Sequence, residues 1–298
     1  MTRGVIPVLY SFYGKSGALD LDAHERQLDS VMRRRAAGVT LLGLASEGAS
    51  LTHDERKSVI ARTAKCLPAG AALLITTRPD DDLNDIARIA LEDRDNVGLI
   101  VQIGRDPVPS MTQIRAISAD PSLASSVVIG LQLAPGLIDT AFSAASLREL
   151  PDIVQRVSFM KAEYNSIELD AHLKALGKTF DLLTGRNGQN FIDYLRIGAT
   201  GVIPGVEMTG PLSLLLSDWT SGRRDDAVER YGTFAAYIDF AMQDLDTVID
   251  VGRAVTARLL DLDRGSRRQP SGREGESFDA AVEFWFARWQ EFGMDKQV

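Results

Sequence analysis

A chain of 298 residues, 45% hydrophobic and 25% charged, holds enough apolar material for a large core, and its length fits two ordinary domains or one α/β barrel. Lys and Arg total 33 against 41 Asp and Glu, a net charge of −8 that repels phosphate backbones and anionic headgroups and so argues against nucleic-acid and membrane partners. No apolar run approaches the ~20 residues of a membrane span, MTRGVIPVLY lacks a signal-peptide pattern, and the lone cysteine, Cys66, excludes an intramolecular disulfide, all of which point to the cytoplasm.

Short apolar, β-branched runs alternate with longer amphipathic ones. Residues 5–10 (VIPVLY) read as a strand, followed by a helix in AHERQLDSVMRRRAA. A strand at 39–44 (VTLLGL) precedes a helix beginning DERKSVIARTAKCL, where Thr52 and Glu55 have the spacing of a capping box. Strands at 72–77, 97–103 and 127–133 lead into helical LNDIARIALEDR, SMTQIRAIS and AASLRELPDIV. Strands at 157–163, 180–185 and 200–205 lead into IELDAHLKALG, NFIDYLRIG and LSLLLSDW. Eight such units, each about 25 residues long, predict an α/β fold: a (β/α)8 TIM barrel over residues 1–222. The strands are unbroken apolar runs, as in a parallel sheet covered by helices. A doubly wound sheet is the rival, but no GxGxxG follows the first strand.

Residues 223–298 lose the strand rhythm and read as a C-terminal helical region. Within it, RGSRRQPSGREGES (264–277) reads as an exposed, solvated loop. The last stretch places Phe278, Val282, Trp285 and Trp289 at helical spacing, a packing pattern. His24, His53 and His172 fall in separate helical stretches and read as solvent-facing, so no metal site is expected.

Barrel chemistry sits at the C-terminal strand ends, and there Lys161 stands out at the close of Val157-Ser158-Phe159-Met160. A lysine in the barrel wall is costly to bury unless it is paired or deprotonated. A strand-end lysine reaching back to solvent is the plainer alternative. Glu163, two residues on, shares its strand face, and the preceding strand ends with Gln132, about 4.8 Å away across the sheet. An amine, a carboxylate and an amide therefore converge on one opening.

These residues resemble the dihydrodipicolinate synthase/N-acetylneuraminate lyase family. Gly43-Leu44-Ala45-Ser46-Glu47 with Leu51-Thr52 resembles its Gly-Thr-Thr-Gly-Glu loop, and Phe159-Met160-Lys161 its Schiff-base strand. Leu183-Thr184-Gly185 and Gly198-Ala199-Thr200-Gly201-Val202-Ile203 resemble its seventh and eighth strands. The family's Tyr-Asn-Val-Pro is replaced by Gln132-Leu133-Ala134-Pro135, so the usual catalytic tyrosine is absent. Gln132-Leu133-Ala134-Pro135, Lys161-Ala162-Glu163 and Ser46-Glu47 together are similar to the tyrosine-less subgroup of L-2-keto-3-deoxyarabonate dehydratases.

The resemblance implies a Schiff-base-forming lyase acting on a small 2-keto acid, with no cofactor beyond the covalent imine at Lys161, and a homo-oligomer, a tetramer by family likeness. Glu163 is expected to move protons, with Gln132 orienting it. The substrate carboxylate is expected against the backbone N–H groups around Ser46 and Glu47, the Glu47 side chain being structural. Gly185 and Ile203 are expected to line the pyruvyl end, and Gly185-Arg186-Asn187-Gly188 reads as a turn rather than a phosphate cradle. Dehydration of a 2-keto-3-deoxy sugar acid is the favoured reaction. The alternatives are a dihydrodipicolinate synthase-like or aldolase-type carbon–carbon lyase using pyruvate, and a non-catalytic binding or regulatory barrel.

Overall fold

In the computed structural model, residues 2–138, 145–177 and 179–291 are described. Eight parallel strands pair in one sheet: β1 (Gly4–Val5), β2 (Gly38–Leu41), β3 (Ala72–Thr77), β4 (Val97–Val101), β5 (Val127–Leu133), β6 (Val157–Ala162), β7 (Asp181–Thr184) and β8 (Gly201–Val202). Each strand pairs with the next in sequence from β2 to β8, and β8 pairs with β1. A parallel bridge between Val8 and Thr40, with the Thr40 N–H donating to the Pro7 carbonyl at 2.8 Å, joins β1 to β2 and closes the barrel. Pro204 has no N–H to give the Ile6 carbonyl on the β8 side and Pro7 none to give β2, so the regular ladder of β1 stops at Val5 instead of running to residue 10.

The covering helices are α1 (Leu21–Arg33), α2 (His53–Cys66), α3 (Leu83–Leu91), α4 (Val108–Ala119), α5 (Pro151–Arg156), α6 (Ser166–Lys174), α7 (Phe191–Arg196) and α8 (Thr209–Thr220), so the fold is a (β/α)8 barrel. Thr52 and Glu55 form the expected capping box of α2. The helix expected over 144–154 begins outside the described residues. Its described part is a 3-10 turn at Ser146–Glu149 followed by α5, whose first residue is Pro151. Proline starts a helix readily but interrupts one that runs into it.

Ile6, Val8, Ala72, Leu74, Ile100, Phe159, Leu183 and Ile203 fill the barrel interior. The β5–β6 register slips by one residue: Ile129 faces Val157, but Gly130 faces Phe159, so Ser158 bulges outward. Because side chains alternate with period two, that extra residue decides which face the rest of β6 presents. Phe159 then enters the barrel over Gly130, where a Cβ would lie 2.3 Å from its ring, and Lys161 follows on the same face directly opposite Gln132.

Three further helices, α9 (Arg224–Ala241), α10 (Leu245–Leu260) and α11 (Glu276–Glu291), follow the barrel. Their aromatics pack together as the spacing implied, Tyr237 against Trp289 at 4.4 Å between ring centroids and Phe240 stacked on Trp285 at 5.4 Å. No helix among the described residues is long and apolar enough to cross a membrane.

Two surface expectations are corrected. His24 is buried, its Nε2 hydrogen-bonded to Thr63 Oγ1 at 2.7 Å. It shares the core-facing stripe of α1 with Leu28 and Val31, and burial lowers its pKa to about 4. The 264–277 segment is not simply a solvated loop, since Arg267 is buried and ion-paired, as described below. His53 is exposed and His172 half-buried, and among the described residues no group of His, Cys, Asp and Glu could hold a metal ion.

Candidate active site

At the C-terminal ends of the strands lies a pocket that opens to solvent. Lys161, Glu163, Tyr10, Arg186, Asn187 and Ile203 line it, and α10 closes one side with Leu245 and Val248. Lys161 is 4% exposed, so the sidechain does not reach back to bulk solvent. Its Nζ lies 3.5 Å from Glu163 Oε1. Glu163 follows the last residue of β6 and is tied to the end of β5 by its N–H, which donates to the Leu133 carbonyl at 2.7 Å.

The Glu163 carboxylate is held on all sides. Oε2 accepts from Gln132 Nε2 at 2.8 Å, and Oε1 accepts from the Arg186 backbone N–H at 3.3 Å. Gln132 Oε1 in turn accepts from Gln102 Nε2 at 3.0 Å. With its oxygen taken by Gln102, the Gln132 amide presents an N–H to Glu163. Gly185 serves this group by its lack of a side chain: a Cβ there would lie 2.1 Å from Glu163 Oε1. Lys161, Glu163, Gln132 and Gly185 are thus brought together, and Ile203 lines the same pocket.

Ser46 and Glu47 are placed differently. Their N–H groups are already used within a 3-10 turn, Ser46 N–H to the Gly43 carbonyl at 3.1 Å and Glu47 N–H to the Leu44 carbonyl at 3.0 Å. Leu44 and Ala45, which open the turn, line the pocket instead. Ser46 accepts at its carbonyl from Ser11 Oγ at 2.6 Å, and its own Oγ is buried without a partner among the described residues.

Glu47, at φ 51, turns its carboxylate away to Arg267, whose Nε donates to Oε1 at 2.9 Å. Arg267 also pairs with Asp246 at 3.0 Å and Asp250 at 3.2 Å on α10. Its neighbour Arg268 pairs with Glu55 at 2.6 Å, donates to the Ser50 carbonyl at 3.0 Å and holds the Glu55 carboxyl down at a pKa of about 2. The arginine-rich segment is thus a strap binding the β2 loop to α10.

Sequence reasoning missed a buried cluster behind the pocket. Glu207 Oε2 accepts from the Tyr10 hydroxyl at 3.0 Å, while Oε1 accepts from Asn187 Nδ2 at 2.9 Å and from the Tyr237 hydroxyl at 3.4 Å. Burial pushes the Glu207 carboxyl up, against the pull of these three donors, and burial together with the Glu207 charge pushes both phenols well above their usual range. Gly252 makes room for Tyr10, since a Cβ there would lie 1.9 Å from its hydroxyl. The one sequence signal was a carboxylate inside the apolar run GVIPGVEMTGPL.

No family model matches the chain. It is 27% identical over 246 residues to L-2-keto-3-deoxyarabonate dehydratase of Azospirillum brasilense, covering 80% of this chain and 79% of that protein. It is 26% identical over 199 residues to 4-hydroxy-tetrahydrodipicolinate synthase of Oenococcus oeni, 64% of this chain and 65% of that one. Among solved structures, the sialic acid aldolase of Ruminococcus gnavus superposes with a TM-score of 0.81 at 18% identity, over 97% of each chain.

Proposed function

We propose that this chain, which resembles the dihydrodipicolinate synthase/N-acetylneuraminate lyase family in sequence and in fold, is a Schiff-base-forming lyase that dehydrates a 2-keto-3-deoxy sugar acid. The observation that carries this reading is the buried Lys161–Glu163 pair with Gln132 bound to the carboxylate.

Lys161 Nζ, once it has released a proton, adds to the C2 ketone and expels water to give an iminium. That cation is an electron sink for the C3–H bond. Glu163 takes the C3 proton, and the resulting enamine pushes out the C4 hydroxyl, which leaves as water with the proton returned by Glu163. Hydrolysis of the unsaturated iminium frees the lysine. The substrate carboxylate rests on the Leu44 and Ala45 amides.

Carbon–carbon cleavage needs a base on the C4 hydroxyl, which an amide at position 132 does not supply. Tyr10 is no substitute: its hydroxyl donates to Glu207 and is wedged against Gly205 and Gly252. Turnover of 2-keto-3-deoxy sugar acids by the parent and Glu163→Gln tests the reading. The variant should still form the pyruvate imine at Lys161 but lose dehydration by about 10²–10⁴-fold. Parent-like turnover by the variant would refute the mechanism.

A further inference from the structure

Arg186 lines the pocket beside Lys161, yet its Nε is buried with no hydrogen-bond partner among the described residues. A guanidinium stays charged throughout the physiological range and offers a planar fork of N–H donors matched to an oxyanion. Buried donors are normally satisfied, so an unsatisfied one on a charged residue that lines a cavity marks a place where a ligand supplies the acceptor.

The backbone holds the residue in place. Arg186, Asn187 and Gly188 run at φ 50, 53 and 85, three successive left-handed residues of which only the last is glycine. Such a turn persists where its surroundings fix it. Here the Arg186 N–H binds Glu163, the Asn187 amide binds Glu207, and Asn187 Oδ1 accepts from the Gly205 N–H at 2.9 Å. The other charged groups of the pocket are engaged: Lys161 with Glu163, and Glu163 with Gln132. The keto acid's own carboxylate is assigned to the β2 loop, and β2 is not a neighbour of β7, which leads into Arg186; β1 and β8 stand between them.

We propose that Arg186 is an anion subsite for the far end of the substrate, so that the 2-keto-3-deoxy acid carries a second anionic group, a carboxylate or a phosphate ester, remote from its keto group. This rests on the dehydratase reading above.

Three substrates of equal chain length test it: 2-keto-3-deoxyhexonate, its 6-phosphate, and 2-keto-3-deoxyhexarate. One of the two anion-ended acids should exceed the neutral-ended one in kcat/KM by about 10–100-fold, the worth of a charge-assisted hydrogen bond, and which of them does so identifies the anion. Arg186→Gln should erase most of that preference, acting chiefly on KM, and Arg186→Lys should restore part of it. Pyruvate trapping at Lys161 reports that each variant remains folded.

Preference of the parent for the neutral-ended acid, or an equal loss on all three in Arg186→Gln, would overturn the subsite while leaving the dehydratase reading intact. If neither these three acids nor a 2-keto-3-deoxypentonate loses water, the dehydratase reading fails and the subsite falls with it.

Discussion

Replacing Arg267 by alanine removes the guanidinium that ties the β2 loop to α10. The magnitude follows from what is left behind. The Glu47 side chain is only 4% exposed, its Oε1 depends on Arg267, and its Oε2 has no partner among the described residues. Asp250 keeps the Ser271 hydroxyl at 2.5 Å, and Asp246 is half exposed, so neither suffers comparably. Stranding one buried carboxylate costs about 3–5 kcal/mol, a large part of the roughly 5–15 kcal/mol that stabilises a typical domain. Urea denaturation of Arg267→Ala, Glu47→Gln and the double variant measures this as a cycle. The double variant should recover most of the loss, because the unpaired charge is gone. A cost below about 1 kcal/mol for Arg267→Ala, the value of an exposed pair, would refute the strap, as would a double variant no more stable than Arg267→Ala alone. Loosening of the turn that presents the Leu44 and Ala45 amides should also raise the pyruvate concentration needed for imine formation.

Gln102→Leu frees the Gln132 amide to turn and should slow dehydration by about tenfold or less, with Gln132→Ala also milder than Glu163→Gln; kcat on the preferred substrate decides, and a larger effect would give the amides more than an orienting function. His24 binds its proton more weakly in the folded chain, near pH 4 against 6.5 for the free side chain, so the unfolded state takes up more protons between those values and stability falls as pH drops through that window. Urea midpoints should show a loss of about 2 kcal/mol from pH 7 to pH 5 that His24→Gln largely removes, and an unchanged slope in the variant would refute it. The family likeness further predicts a homotetramer at micromolar concentration, which light scattering checks; a fully active monomer would refute that.

The barrel was legible because its strands are unbroken apolar runs at regular intervals, a local signal. Lys161 and Glu163 were legible for the same reason, two residues apart on one strand face. Gln132 could be placed beside them by strand order, but the bulge at Ser158 that sets their register could not be seen from the run VSFMKA. His24 was misplaced although its spacing with Leu28 and Val31 already put it on the buried stripe. The Arg267–Glu47 pair spans 220 residues and the Tyr10–Glu207 pair 197, separations at which no periodicity operates. That the 3-10 turn consumes the Ser46 and Glu47 amides is a detail of backbone hydrogen bonding that residue types do not encode.

Borohydride reduction in the presence of pyruvate, followed by mass analysis of the peptides, tests the central claim most directly. A reduced pyruvyl adduct on the peptide carrying Lys161, lost in Lys161→Arg, is the predicted result. An adduct on a different lysine, or none on the folded protein, would contradict the account.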